Sequence, residues 1–332
     1  MDVATGPLGQ ESRDLAWSLG PTTVDGTLTL PAGVARAAVV MVAGSGPTDR
    51  NWNSPLLPGT NGSARLLAEA LARSGFASIR YDKRGVGPHA ADNLRVLQGT
   101  VSMETHRQEV ESAVRVLARQ DGVRADRIFA LTNSEGALHA LNYQRAVPQV
   151  PLAGLILTAP PGRPVAAVVR TQLAAQAAAV PNGDTLLAAY DAAVRRFVAG
   201  EPAAPDPALP EGVRMLLRSL EAPLNLPFAR ELWVADAAAL VQRMRAPLLV
   251  IIGRRDIQVD WRLDGEPLQR AAADHPDATF LFPPHANHVL KHDPGEGPLP
   301  PAAEAAARYN APEARLDPDV EAAIVGWLAG HS

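Results

Sequence analysis

The 332 residues contain no cysteine, which excludes disulfides, thiolate metal ligands and a cysteine nucleophile. Such a chain suits a reducing compartment. Long apolar runs are also missing, and no uninterrupted stretch approaches the length of a membrane-spanning helix. The first residues, Met1-Asp2-Val3-Ala4-Thr5-Gly6-Pro7-Leu8, lack the basic region followed by an apolar one that marks a secretory signal. The expectation is a cytoplasmic protein with no membrane partner. Positive charge is scarce: the formal net charge is −4 and no Lys/Arg-rich run occurs, so nothing in the chain attracts nucleic acid or anionic lipid. No internal repeat is evident. What is present, 47% hydrophobic and 20% charged residues, is close to the average for folded globular domains. The length suits one α/β core carrying an insertion.

The most informative segment is Thr132-Asn133-Ser134-Glu135-Gly136, between the apolar run Arg127 to Leu131 and the helix-forming stretch Ala137 to Asn142. A serine at a sharp strand-to-helix turn projects its hydroxyl above the sheet and leaves backbone N–H groups to bind an oxyanion. Ser134 is therefore the candidate nucleophile. Thr132 stands where the G-x-S-x-G pattern has its first glycine, and by itself a Ser-Glu-Gly turn also reads as an ordinary helix N-cap.

A serine hydrolase of this kind needs an acid and a histidine later in the chain, each on a loop after a core strand. The run Pro247-Leu248-Leu249-Val250-Ile251-Ile252-Gly253 reads as a buried parallel strand and leads into Asp256. Ala278 to Phe282 reads as the next strand and runs into a loop containing His285 and His288. The order Ser134, Asp256, His288 is the one the α/β-hydrolase fold uses.

Five blocks together resemble a known family: Gly44 to Arg50, Tyr81 to Gly87, Asn133 to Gly136, Gly253 to Val259 and Asn287 to Lys291. In order and spread, from about Thr27 to the C-terminus, they are similar to bacterial α/β-hydrolases of the dienelactone-hydrolase-like or serine-aminopeptidase-like subgroup. The resemblance implies a mostly parallel central sheet flanked by helices. It implies oxyanion-hole donors at the backbone N–H groups of Ser45 and Glu135. Two departures stand out, Thr132 before the turn and Ala43 where the family usually has histidine.

Strand-like runs at Leu28 to Leu30, Ala37 to Val42, Ser78 to Tyr81, Ile128 to Leu131 and Leu155 to Leu157 alternate with helical patterns, as in an α/β fold. Val110, Ala113, Val114 and Leu117 recur at helical spacing and predict a helix lying on the sheet. Between about Gly162 and Ala246 the strands stop, and alanine-rich helical patterns are interrupted by Pro202, Pro205, Pro207 and Pro210. The expected organisation is a core, residues 1–161 and 247–332, with a helical cap inserted at 162–246. Its stripe Leu187, Tyr190, Val194 and Phe197 either packs the cap onto the core or lines an acyl or aromatic pocket.

The expected activity is hydrolysis of a carboxylic ester with a small to medium apolar or aromatic acyl group, through an acyl-enzyme on Ser134, with no cofactor and no metal. Acyl transfer or cyclisation by the same triad, peptide or amide cleavage, and a catalytically silent binding protein are the alternatives. The expected partner is a small-molecule ester, and apolar cap faces leave a homodimer open. Asp260 competes with Asp256 as the acid. His285, His288 and His292 invite a metal reading, but they share one proline-bounded loop with no second ligand group. Asp82 and Arg84 read as a structural ion pair or loop anchor, and Asp49 and Arg50 as holding the oxyanion loop or a polar substrate. Gly85 and Gly87 lack the rest of a phosphate loop.

Overall fold

The computed structural model describes residues 3–5, 10–55, 59–178 and 180–332. Among the described residues nine strands form one sheet: β1 (Val3–Thr5), β2 (Glu11–Leu19), β3 (Thr22–Leu30), β4 (Ala37–Val42), β5 (Phe76–Tyr81), β6 (Ile128–Asn133), β7 (Gly154–Thr158), β8 (Leu248–Ile251) and β9 (Ala278–Leu281). Their order is β1-β2-β3-β5-β4-β6-β7-β8-β9. The pairs from β5 to β9 are parallel, and β1, β2 and β3 add an antiparallel edge.

Helices cross between the strands: α1 (Ser63–Arg73), α2 (Ala90–Leu97), α3 (Met103–Ala118) and α4 (Gly136–Arg145). Five more, α5 (Val165–Ala177), α6 (Gly183–Val198), α7 (Glu211–Leu220), α8 (Phe228–Trp233) and α9 (Ala237–Val241), fall between β7 and β8. The chain closes with α10 (Gly265–Ala271), α11 (Ala302–Tyr309) and α12 (Pro318–His331). Among the described residues no helix is long and apolar enough to cross a membrane.

Strands β4 and β6 read as unbroken apolar runs because both faces of the sheet are covered. Alternate side chains point to opposite faces. Val40, Val42, Ile128 and Ala130 join one core with Val110, Val114 and Leu117 of α3, while Val39, Met41, Phe129 and Leu131 join another with Leu67 of α1 and Ile324 of α12. The helical stripe at Val110, Ala113, Val114 and Leu117 thus lies on the sheet as its spacing requires. β5 and β6 flank β4 on opposite sides, so the chain reverses direction across the sheet there. The loops leaving β4 and β6 diverge at the carboxyl edge of that switch and open a crevice between them.

Candidate active site

Ser134 follows β6 directly, in the left-handed region with φ 52°. A non-glycine residue there is strained, and the strain is held by neighbours. Its N–H donates to the Thr158 carbonyl at 2.8 Å, and its carbonyl accepts from the Ala137 N–H as α4 starts. A Cβ at Gly136 would stand 2.6 Å from the carbonyl oxygens of both Val42 and Ala43, so only glycine lets the helix start this close to β4. Thr132 needs no glycine, because it is still in the strand: it is fully buried, its hydroxyl donates to the Ile156 carbonyl at 3.3 Å, and its carbonyl accepts from Thr158 Oγ1 at 2.5 Å.

The acid and the histidine come together on neighbouring loops after β8 and β9. Asp256 Oδ2 lies 2.8 Å from His288 Nδ1, and both side chains are buried. Asp256 Oδ1 accepts from the N–H groups of Gln258 at 2.7 Å and Val259 at 3.0 Å. Three acceptor contacts suit an ionised carboxylate, which accepts a hydrogen bond from Nδ1–H and leaves the lone pair on Nε2. Gly253 packs against the histidine loop where a Cβ would stand 2.0 Å from the Ala286 carbonyl oxygen. Asn287 Oδ1 accepts from the N–H groups of Val289 and Lys291, and Asn133 Nδ2 donates to the His288 carbonyl at 3.0 Å, tying this loop to the serine turn.

Asp260 is engaged elsewhere, accepting from the N–H groups of Arg262 and Leu263. The three histidines are not gathered around one point: His292 Nδ1 meets Asp317 and its ring lies tilted beside His285, whereas His288 meets Asp256. Among the described residues, no group of three His, Asp or Glu side chains is arranged to hold a metal ion.

Ser134 and His288 open onto one cavity of about 260 Å³, shared with Ser45, Trp52, Gln258 and Tyr309. Its described lining comes from the loops after β4, β6, β8 and β9 and from the end of α11. The helices between β7 and β8 contribute none of it. Leu187, Tyr190, Val194 and Phe197 belong instead to a separate apolar cluster with Leu173, Leu217 and Trp233, so the stripe packs those helices against one another. Beyond Gly46 and Pro47 lies a second, mainly apolar recess of about 290 Å³, walled by Leu94, Leu97, Val101 and Phe228. A larger surface hollow of about 520 Å³ over α3, α4 and α9 is lined by Arg107, Arg145 and Arg243 and holds none of the three residues.

A chain of buried charges under the serine turn was not legible beforehand. Glu135 Oε1 lies 2.9 Å from Lys83 Nζ and 3.0 Å from His139 Nε2, and His139 stacks on His106. His106 in turn meets Glu109, which also pairs with Arg84. Burial works to raise the Glu135 carboxyl, but Lys83 and His139 outweigh it and hold it well below its ordinary value. Burial likewise opposes ionisation of Glu109, and His106 and Arg84 bring it to about 2. Burial lowers His139 to about 4 despite Glu135, so it is neutral near pH 7. The one available signal was Glu135 and His139 at i, i+4 on a helix face. Asp82 and Arg84 do not pair with each other: Asp82 takes Arg50 at 2.8 Å and Arg84 takes Glu109 at 2.8 Å. Asp49 accepts from the N–H groups of Asn51 and Asn53 and so shapes the loop after β4.

Comparison with known proteins fits this geometry. A sequence model of the family described as serine aminopeptidase, S33, matches residues 60–190. Esterase EstD of Thermotoga maritima is 26% identical over 285 residues, 83% of this chain; the chain spans about 60% of the length of that relative. Among solved structures, an esterase of Pyrococcus furiosus aligns with a TM-score of 0.55 at 16% identity, covering 97% of this chain and 94% of that one. Proline iminopeptidase of Mycobacterium smegmatis aligns with a TM-score of 0.55 at 15% identity, covering 96% and 98%.

Proposed function

We propose that this protein is a serine carboxylesterase of the α/β-hydrolase family acting through Ser134, His288 and Asp256. The observation that carries the reading is the buried Asp256–His288 pair at 2.8 Å facing the same cavity as a serine on a strained turn.

In this reading Ser134 Oγ attacks the ester carbonyl carbon while its proton passes to His288 Nε2. Asp256 holds the imidazole in the tautomer that makes this possible and stabilises the imidazolium. The tetrahedral oxyanion accepts from the backbone N–H groups of Ser45 and Glu135. The ion pair of Glu135 with Lys83 and its hydrogen bond from His139 fix the second donor in place. As the bond to the alcohol oxygen breaks, His288 gives that oxygen its proton. Water then enters, loses a proton to His288, and releases the acid from Ser134. Residues 162–246 act as a cap between the core segments 1–161 and 247–332, and Phe228 of α8 joins Leu94, Leu97 and Val101 in walling the recess beside the core.

An aminopeptidase is the second reading, favoured by the description of the matching family model. An aminopeptidase needs an anion to hold the substrate's ammonium group. No carboxylate is among the described residues lining the Ser134 cavity. That favours the ester.

The test is reaction with a fluorophosphonate followed by intact mass, on the native protein and Ser134→Ala, beside p-nitrophenyl acyl esters and aminoacyl p-nitroanilides. Labelling and ester turnover that both vanish in the variant are expected. Undiminished labelling of Ser134→Ala would remove Ser134 as the nucleophile, and turnover of anilides alone would move the assignment to the peptidase.

A further inference from the structure

Tyr309, at the end of α11, lines the Ser134 cavity and is 4% exposed. Its side chain packs with Val289 and Ala305, beside Ile257. Its backbone carbonyl accepts from the fully buried Lys291 Nζ at 2.7 Å, so the helix end is fastened to the loop that carries His288. A cation at a helix C-terminus also complements the helix dipole.

Its hydroxyl is buried and its proton meets no acceptor in hydrogen-bond geometry, while the Gln258 side chain and the backbone N–H groups of Ile257 and His288 face its oxygen. A buried donor left unpaired costs roughly 1–3 kcal/mol, which calls for an explanation. Other polar groups around the cavity are already committed. Thr48 Oγ1 donates to the Ser45 carbonyl, Asn61 Nδ2 to the Trp52 carbonyl and Asn133 Nδ2 to the His288 carbonyl. Burial, with Asp256 adding to it, raises the Tyr309 phenol far above its ordinary value, so it stays protonated and remains a donor.

The proposed reaction fixes which part of the substrate lies there. His288 must protonate the departing alcohol oxygen, so the alcohol part occupies the side of the cavity next to His288, where Tyr309 stands. We propose that the Tyr309 hydroxyl donates a hydrogen bond to a second oxygen carried by the alcohol part of the ester, making the substrate an ester of a polyol or other oxygen-bearing alcohol. This rests on the esterase reading above. It assigns the alcohol side to polar recognition while the acyl side remains apolar.

The experiment compares an isosteric pair, 2-methoxyethyl acetate and butyl acetate, which differ by one ether oxygen for one methylene. kcat/KM is measured for both on the native protein and Tyr309→Phe, with Tyr309→Leu and thermal unfolding as checks on folding. For Tyr309→Phe, a loss of roughly tenfold on the methoxyethyl ester with the butyl ester unchanged is expected, the size of one neutral hydrogen bond to a buried group. An equal loss on both esters would make Tyr309 a packing residue and overturn the proposal, as would no loss on either. Native protein that hydrolyses neither ester and is not labelled by fluorophosphonate overturns the esterase reading itself, and this inference with it.

Discussion

The helices between β7 and β8 and the segment that follows β9 use their side chains in opposite ways. The first region buries Leu173, Tyr190, Phe197, Leu217 and Trp233 against one another in a cluster of its own. The second sends Ala286, Leu290, Val320, Ile324 and Leu328 into the core of the sheet and keeps only a small cluster, Val289, Ala305 and Tyr309 with Ile257 beside them, next to the cavity. On the cavity side hydrogen bonds hold it: Asn287 to the backbone of Val289 and Lys291, Lys291 to Tyr309, and His292 to Asp317. Yet the second region supplies His288 and Tyr309 to the cavity, and the first supplies none of its described lining. Apolar richness in a sequence therefore marks what stabilises an element, and committed polar groups mark what positions a reacting one.

The sharpest break between the two regions should appear in chemistry. Asp256→Asn leaves the loop contacts to Gln258 and Val259 available but favours the wrong imidazole tautomer, and kcat is expected to fall on the order of 10⁴-fold with the melting temperature little changed. Steady-state kinetics on a p-nitrophenyl ester decides it; a drop under tenfold would mean the pair is not the acid–base device. In the helical region the pattern inverts. Phe197→Ala should cost about 3–5 kcal/mol in urea unfolding while kcat/KM of the folded fraction stays within about twofold. A collapse of kcat/KM without loss of stability would give that cluster a role in the site.

Acid probes the place where the first region meets α3 and α4, since Phe228 of α8 packs on both His106 and His139. His139 is lowered by burial from 6.5 to about 4, so the unfolded chain binds its proton first. Its contribution is complete above pH 6.5 and is lost as pH falls toward 4. Glu109, held at about 2 against an ordinary 4.5, continues the loss in the same direction below pH 4.5. The urea midpoint should therefore decline steadily from pH 7 to pH 4, and His139→Phe should flatten the upper part of that decline. A native midpoint that is flat across the interval contradicts the neutral, buried imidazole. The smallest effect is expected at Lys291→Met, which removes the donor to the Tyr309 carbonyl: KM should rise roughly threefold to tenfold with kcat unchanged, read from initial rates. A fall in kcat with constant KM would place Lys291 in the chemistry.

The parallel half of the sheet was readable because each of its strands is an unbroken apolar run between turn residues. Ser134, Asp256 and His288 were readable for a related reason: each lies within a few residues of a strand end, where local pattern and position coincide. The antiparallel edge was harder. β2 was not foreseen and β3 only from Leu28 onward, although Leu15, Trp17 and Leu19 alternate as a half-covered strand does and pack against the core. Polar residues between them hide the alternation. Tyr309 was invisible, since no local pattern announces a residue placed by an amine 18 positions away. The same holds for Lys83 and Glu135, which meet across 52 positions. Long-range ion pairs have no period, so they leave no trace along the chain.

The contact of Gly253 with the Ala286 carbonyl makes the Asp256 loop and the His288 loop a single mechanical part, since no side chain fits between them. Anyone recombining loops among related hydrolases would have to move the two together. A graft that carries Asp256 but brings a side chain at 253 would push the His288 imidazole off its mark even with Ser134, Asp256 and His288 all present.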